Sequence, residues 1–367
     1  MAVSFLNFNE LHDEAFQHKI WERFSTIIKD NSFIEGPYNC SFEERLAKMC
    51  QAKHCLLVAN GTDALEISLM ASGIQPGDKV GVAGVTFYAS AEAIINCGAV
   101  PVFIDVDPQT GLICPDSLAR VAQKFTLKAV IPVHIYGHPA PIFEIEKICK
   151  SQGIFIIEDA AQAIGAHLKN TPVGGSGNLT TFSFYPTKNL SALGDAGAIL
   201  TNDDHLANQV RLIRNHGRGP NGWEVCGRNS RCDHLNASVL DLKLNDFPVL
   251  CQKRKDIAKA YAEILGHLPI KLPLKEFIEN SAWHLYPILL ENNDQKIKLN
   301  DHLRKKQIGT ALFYERSLKQ EPVLQHYEGE FAQANEFVSK VLCLPMHPFL
   351  TPQNLDEVAT AMNGFFS

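Results

Sequence analysis

Between residues 55 and 215, short apolar runs alternate with stretches whose apolar positions recur at helical spacing. The runs at 55–59, 80–85, 101–106, 128–134, 154–158, 180–184 and 197–201 are rich in Val, Ile, Leu and Phe with few polar breaks. Such runs predict strands buried on both faces. Helices are predicted between them at 64–71, 90–96, 142–150 and 204–214. This alternation predicts an α/β fold, a mostly parallel sheet between two helical layers.

Near residue 235 the texture changes. The segments 235–244 and 249–265 predict helices, with Pro248 near the start of the second, where proline is tolerated. Beyond Gly266 the pattern is mixed. It predicts strands near 284–290 and 310–314, and helices near 296–306, 331–342 and 355–365. Helices at 11–28 and 42–49 precede the first strand. The chain divides into a large domain at 1–245, with its helical N-terminal segment, and a smaller α+β domain at 246–367. A length of 367 residues is compatible with two such units.

Composition removes several classes of function. Apolar residues are 46% and charged residues 20%, which excludes a disordered chain and allows a large core. The formal charge of −6 gives no basic excess for nucleic acid or anionic lipid. No run approaches the roughly 18–20 apolar residues a membrane span needs. The N-terminus has no basic segment leading into an apolar one, so it does not read as a signal peptide and a cytoplasmic protein is expected. Ten scattered cysteines without a Cys-x-x-Cys pair read as reduced thiols.

Three segments carry candidate chemistry. In Thr181-Phe-Ser-Phe-Tyr-Pro-Thr-Lys188 a strand runs into a polar turn displaying Ser183, Thr187 and Lys188. A lone loop lysine is ordinarily a solvated charge, but this one has company. Asp159 follows four apolar strand residues, at the strand end where parallel sheets bind ligands, although it could also cap a helix. At Asn60-Gly61-Thr62 a strand turns into a helix, whose free N–H groups suit a phosphate. A lysine for a Schiff base, an acid for a pyridinium nitrogen and a phosphate cradle together suit pyridoxal phosphate.

Six motifs then resemble, in order, those of the DegT/StrS sugar aminotransferases, pyridoxal-phosphate enzymes of fold-type I. They are Asn60-Gly-Thr-Asp-Ala-Leu65, Pro132-Val-His-Ile-Tyr-Gly137, Glu158-Asp-Ala-Ala-Gln162, Ser183-Phe-Tyr-Pro-Thr-Lys188, Gly227-Arg-Asn-Ser-Arg231 and Leu344-Pro-Met-His-Pro348. The resemblance implies a three-layer α/β/α large domain with a smaller C-terminal one. It also implies that Lys188 bonds covalently to the coenzyme and shuttles the proton, and that Asp159 pairs with the ring nitrogen. Gln162 would bond the ring hydroxyl oxygen, Gly61, Thr62 and Ser183 the phosphate, and Phe87 would stack on the ring. Asn229 would reach the phosphate of a neighbouring subunit, so a homodimer is implied. Relatives that dehydrate their substrate carry histidine in place of the lysine, so Lys188 favours amino transfer.

The reaction so implied is a ping-pong exchange between glutamate, released as 2-oxoglutarate, and a nucleotide-linked keto-sugar destined for lipopolysaccharide, another cell-surface glycan or a secondary metabolite. One departure bears on the sugar. Where relatives that use nucleotide-linked sugars read His-Tyr-x-x-Pro-Leu-His, this chain has Phe313-Tyr-Glu-Arg-Ser-Leu-Lys319. Tyr314 stays, while Arg316, Lys319 and Arg231 are candidates for an anionic substrate. A free keto-sugar acid such as an oxidised octulosonate, a sugar dehydratase, and a regulator that keeps the coenzyme as a ligand are the alternatives. His134 and His138, four apart beside a glycine and not on a helix, do not read as a zinc pair.

Overall fold

The computed structural model describes residues 3–367. Seven strands form the main sheet: β1 (His54–Val58), β2 (Lys79–Ala83), β3 (Val100–Ile104), β4 (Leu127–Ile131), β5 (Phe155–Asp159), β6 (Leu179–Ser183) and β7 (Gly197–Thr201). Their spatial order is β1-β7-β6-β5-β4-β2-β3. The pairs β2–β3, β2–β4, β4–β5 and β5–β6 are parallel, and β7 runs antiparallel to both β1 and β6. One reversed strand in seven is what the hairpin-like link between β6 and β7 requires, since a parallel return would need a long crossover. Central strands such as β2, β5 and β7 are buried at consecutive positions, as expected for a sheet covered on both sides.

The N-terminal helices are α1 (Glu14–Asp30) and α2 (Pro37–Cys50). Asp13 caps α1, its carboxylate accepting from Phe16 N–H at 2.8 Å, so the helix starts three residues later than the apolar spacing indicates. Among the sheet helices are α3 (Gly61–Ala71), α4 (Ala89–Asn96), α5 (Pro115–Lys124), α6 (Ile142–Gln152) and α7 (Asp204–Arg214). Helix α5 went unpredicted; Pro115 opens it at the first turn.

The C-terminal third contains α8 (His234–Lys243), α9 (Phe247–Leu265), the antiparallel pair β8 (Tyr286–Leu289) and β9 (Val341–Leu344), and the helices α10 (Asn293–Lys305), α11 (Ala332–Lys340) and α12 (Pro352–Phe366). Two expectations fail here. The strand predicted at 310–314 is reduced to a single bridge between Ala311 and Cys343, because Phe313 and Tyr314 turn away to face the large sheet. The helix predicted through 342 stops at Lys340. Val341-Leu-Cys-Leu344 pairs with β8 instead, a case of tertiary pairing overriding helical spacing. One apolar core runs from Val3 through the main sheet to Met362, tying the two ends of the chain together. No helix among the described residues is long and apolar enough to cross a membrane. The ten cysteines are single thiols, five of them buried.

Candidate active site

The candidate coenzyme-binding side chains gather at the carboxyl edge of the parallel strands. Asp159 and Ser183 end β5 and β6, the turn Asn60–Gly61 follows β1, and Phe87 follows β2. The sheet order places β5 and β6 side by side with β7 and β1 next to them, so the acid, the lysine loop and the start of α3 converge.

Asp159 is buried, and its carboxylate is gripped from two sides. Oδ2 accepts from the Ser90 hydroxyl at 2.7 Å and Oδ1 from the Ala161 N–H at 3.1 Å. Its backbone is fixed as well, with Asp159 N–H bonded to Pro132 O at 2.9 Å and its carbonyl accepting from His134 N–H at 3.0 Å. The neighbouring Glu158 is buried and takes His134 Nε2–H at 2.9 Å, Asn178 Nδ2–H at 2.9 Å and the Ser176 hydroxyl. Burial works to raise the Glu158 carboxyl, and these donors outweigh it and bring it below the ordinary range. His134 Nδ1 accepts from Ala140 N–H at 2.9 Å, which leaves the proton on Nε2 for Glu158. His134 is thus occupied in holding the strand end. His138 points elsewhere, bonded to Ser281 and stacked on Phe277, so the two rings serve separate structural roles.

Lys188 sits in the loop after β6 with its amine in a poorly solvated setting. Burial lowers it to about 8 from an ordinary lysine value, and Asp159 offsets part of that effect. The neutral amine is the nucleophile. The rate at which the apoprotein captures coenzyme should therefore climb about tenfold per pH unit below 8 and level off above it. A rate that keeps climbing past pH 9.5 would show an ordinary, solvated lysine. Burial, then Lys188 and Arg254, hold His284 well below its ordinary value, so that ring is neutral. Asn189 Nδ2 donates to Ala282 O, so its Oδ1 accepts the His284 Nδ1 proton at 3.2 Å.

The candidate phosphate cradle is set by closeness. Asn60 Oδ1 caps the Asp63 N–H at 2.7 Å and the Asn60 carbonyl takes Ala64 N–H, which leaves the N–H groups of Gly61 and Thr62 outside the helix ladder. A Cβ on Gly61 would stand 2.7 Å from Ser183 Cβ and 3.1 Å from its hydroxyl. Gly61, Thr62 and Ser183 thus form one small donor patch, and its chemistry fits a phosphate. Gly61→Ala should weaken coenzyme binding about tenfold or more, because the added methyl must displace Ser183. Unchanged affinity in a coenzyme titration would place the phosphate elsewhere.

Gln162 is buried between two tyrosines. Its Oε1 accepts from Tyr136 N–H at 2.6 Å, and its Nε2 donates to the Tyr314 hydroxyl at 3.1 Å. Tyr136 adopts a left-handed φ of 61° and is fully buried, a strained position held by that bond and by its hydroxyl on Phe313 O at 2.6 Å. This residue therefore joins the floor of the site to the 313–316 segment. Phe87 is exposed, with its ring centroid 6.3 Å from that of Tyr314. Between them opens a cleft of about 300 Å³ whose rim carries Glu315, Arg316 and Glu321.

Not every candidate residue comes to this cleft. Lys319 is a correction: its ammonium donates to the carbonyls of Gln325 and Tyr327, both at 2.6 Å, and lies over the Phe331 ring, so it braces its own loop. Arg231 is another within its own subunit. It bonds Asn229 Oδ1 at 2.9 Å and Asn215 Oδ1 at 3.2 Å, and lines a separate cavity with Glu35, Glu43 and Arg214. Ser90, Thr86, Tyr136 and His284 were missed as site residues. Nothing in their local sequence marks them: Ser90, Tyr136 and His284 find partners far along the chain, and Thr86 joins them only through Ser90.

An acid on one strand, an amine on the loop of its neighbour and a helix-start cradle across the sheet is the division of labour in pyridoxal-phosphate enzymes of fold-type I. The chain belongs to the DegT/DnrJ/EryC1/StrS aminotransferase family, whose model matches residues 14–363. It is similar to a Geobacillus stearothermophilus protein named a pleiotropic regulatory protein, at 35% identity over 100% of this chain and 99% of that one. It is also similar to the UDP-2-acetamido-2-deoxy-3-oxo-D-glucuronate aminotransferase of Pseudomonas aeruginosa, at 34% identity over 94% of this chain and 96% of that one. Among solved structures, a DegT DnrJ EryC1 StrS aminotransferase from Brucella abortus superposes with a TM-score of 0.94 at 34% identity, covering all of both chains. The protein is a pyridoxal-phosphate-dependent sugar aminotransferase.

Proposed function

We propose that the protein transfers the amino group of glutamate to C3 of a nucleotide-linked 3-keto-hexose, as a homodimer in the cytoplasm, in the synthesis of an amino sugar for a surface glycan. The observation that carries the substrate half is the cleft between Phe87 and Tyr314, where Arg316 stands at the rim between Glu315 and Glu321. Arg316 Nη1 is 4.0 Å from Glu321 Oε2, too loosely paired to be spent on it, and its side chain is largely exposed. A guanidinium so placed suits a diphosphate. The 3-oxo sugar named for the Pseudomonas relative supports the choice of carbon. Residues 1–245 would hold the coenzyme, and 246–367 would close the cleft with Tyr314 and Arg316.

Each residue then has a task. The coenzyme supplies a ring that accepts electrons when a proton leaves the carbon bearing nitrogen. Lys188, neutral once released, takes that proton and returns it to the neighbouring carbon position. Asp159 would hold the ring nitrogen, Gln162 the ring oxygen, and Phe87 would cover one ring face and keep water from it. Tyr314 has its oxygen occupied by the Gln162 donor, so its own proton is free for a substrate oxygen. Burial, then Asp159, raises that hydroxyl above the ordinary tyrosine range, so it acts as a donor. A subunit partner is supported by Tyr185 and Leu193, exposed apolar side chains flanking the Lys188 loop. Asn229 is the residue it would lend. The regulatory name of the Geobacillus relative suggests a second role, but Lys188, Asp159 and Gln162 are all present and brought together, which favours catalysis.

The test is 2-oxoglutarate release from glutamate against a panel of UDP- and dTDP-linked 3-keto-sugars, free 3-keto-sugar phosphates and keto-sugar acids. Turnover of the nucleotide-linked members is expected; turnover confined to free sugars would overturn that part. Arg316→Ala should raise KM for the nucleotide-linked sugar about tenfold and leave the glutamate half-reaction unchanged. An equal loss in both halves would assign Arg316 a structural role.

A further inference from the structure

Two buried hydroxyls stand behind the ring-facing acid. Ser90 is fully buried in the first turn of α4, and Thr86 is 5% exposed in the loop before it. Ser90 Oγ lies 2.7 Å from Asp159 Oδ2 and 2.9 Å from Thr86 Oγ1. A carboxylate only accepts, so the Ser90 proton points to Asp159 and Ser90 in turn accepts from Thr86. The chain therefore has one direction, from Thr86 to Ser90 to Asp159. It also has an address, because Thr86 lines the substrate cleft beside Phe87.

This arrangement is more than a satisfied buried serine. With Ala161 N–H on Oδ1 and Ser90 on Oδ2, the carboxylate is prevented from rotating about its own bond. Each oxygen keeps a lone pair free on the side away from those donors. An isolated hydroxyl in this position would cost free energy, and the pair of bonds offsets that cost only in this one orientation. Helix α4 and the loop ahead of it thus set the angle at which β5 presents its acid.

We propose that Ser90, backed by Thr86, is a positioning residue that fixes the Asp159 carboxylate in line with the coenzyme's ring nitrogen. The inference rests on Asp159 facing that nitrogen. The protonated ring nitrogen is a cation that disfavours the proton on the lysine-bound imine nitrogen of the same ring system. A misaligned carboxylate holds the ring proton less well, so the pKa read from the visible band of the bound coenzyme should rise. In Ser90→Ala a rise of roughly 0.5–1 unit is expected, with a coenzyme Kd about tenfold higher. Thr86→Val keeps the shape and removes only the outer hydroxyl, so a smaller rise of about 0.3 unit is expected.

The experiment is a pH titration of the visible band, with coenzyme Kd and apoprotein Tm, for the wild-type protein and both variants. A merely structural serine would lower the apoprotein Tm and leave the band's pKa where it was. Folded Ser90→Ala with wild-type band pKa and Kd overturns the proposal. Should that variant not fold, Thr86→Val decides, and an unmoved pKa there overturns it. A wild-type protein that develops no visible band would instead sink the coenzyme site itself, so the two failures are distinguishable.

Discussion

Lys188→Ala is expected to yield a folded protein that still takes up coenzyme through its phosphate but loses amino transfer by about 10⁴-fold or more. Two functions depend on that amine. In the proposed mechanism it supplies the covalent attachment and is the base that carries the proton. No other amine on the loop after β6 can take its place. Lys243, buried on α8, is the next candidate by chemistry. Its amine, which burial lowers to about 7, is engaged with His12 Nε2 at 2.8 Å, Ser191 O at 2.8 Å and Ser191 Oγ at 3.0 Å, so it braces the lysine loop. Stopped-flow half-reactions with glutamate are the appropriate assay, because they see the proton transfer without the sugar. Residual turnover within a hundredfold of wild type would mean that another group moves the proton.

Asp159→Asn should be the second most damaging change, with kcat/KM falling about 10³-fold. Asparagine is nearly isosteric, so the Ser90 and Ala161 contacts need not collapse, and the loss would come from removing the charge opposite the ring nitrogen. The apoprotein Tm should stay close to wild type, which separates this variant from a folding defect. A loss smaller than tenfold would mean that the ring nitrogen does not depend on this acid. Glu158, one residue away, provides a contrast. Its carboxylate is spent on His134, Ser176 and Asn178, and its removal should cost stability before chemistry because it strands the donors that surround it.

Much of this site is legible in the chain because its parts are local. Lys188, Asp159 and the Asn60–Thr62 turn each follow a strand run within a few residues, and strand ends are where a parallel sheet binds ligands. What escaped the sequence is what depends on distant pairing. Ser90 meets a carboxylate 69 positions away, and Tyr136 meets a carbonyl 177 away. Nothing in Thr-Phe-Tyr-Ala-Ser announces a partner on β5. Charged residues misled for a related reason. Lys319 and Arg231 stand in motifs near the site, but a long flexible cation goes to whatever acceptor the fold leaves within reach, and theirs are local. The C-terminal third was least legible. Val341–Leu344 continues the apolar spacing of the helix before it, and only the presence of β8 turns it into a strand.

The central claim is that Lys188 bonds to the coenzyme at a site built by Asp159 and the Gly61–Ser183 cradle. It is tested most directly by adding pyridoxal phosphate to the apoprotein, reducing with borohydride and mapping the modified peptide by mass spectrometry. The expected result is a single pyridoxyl label on Lys188, formed in proportion to the visible band. A label on another lysine, or a reduced protein that carries none, would contradict it.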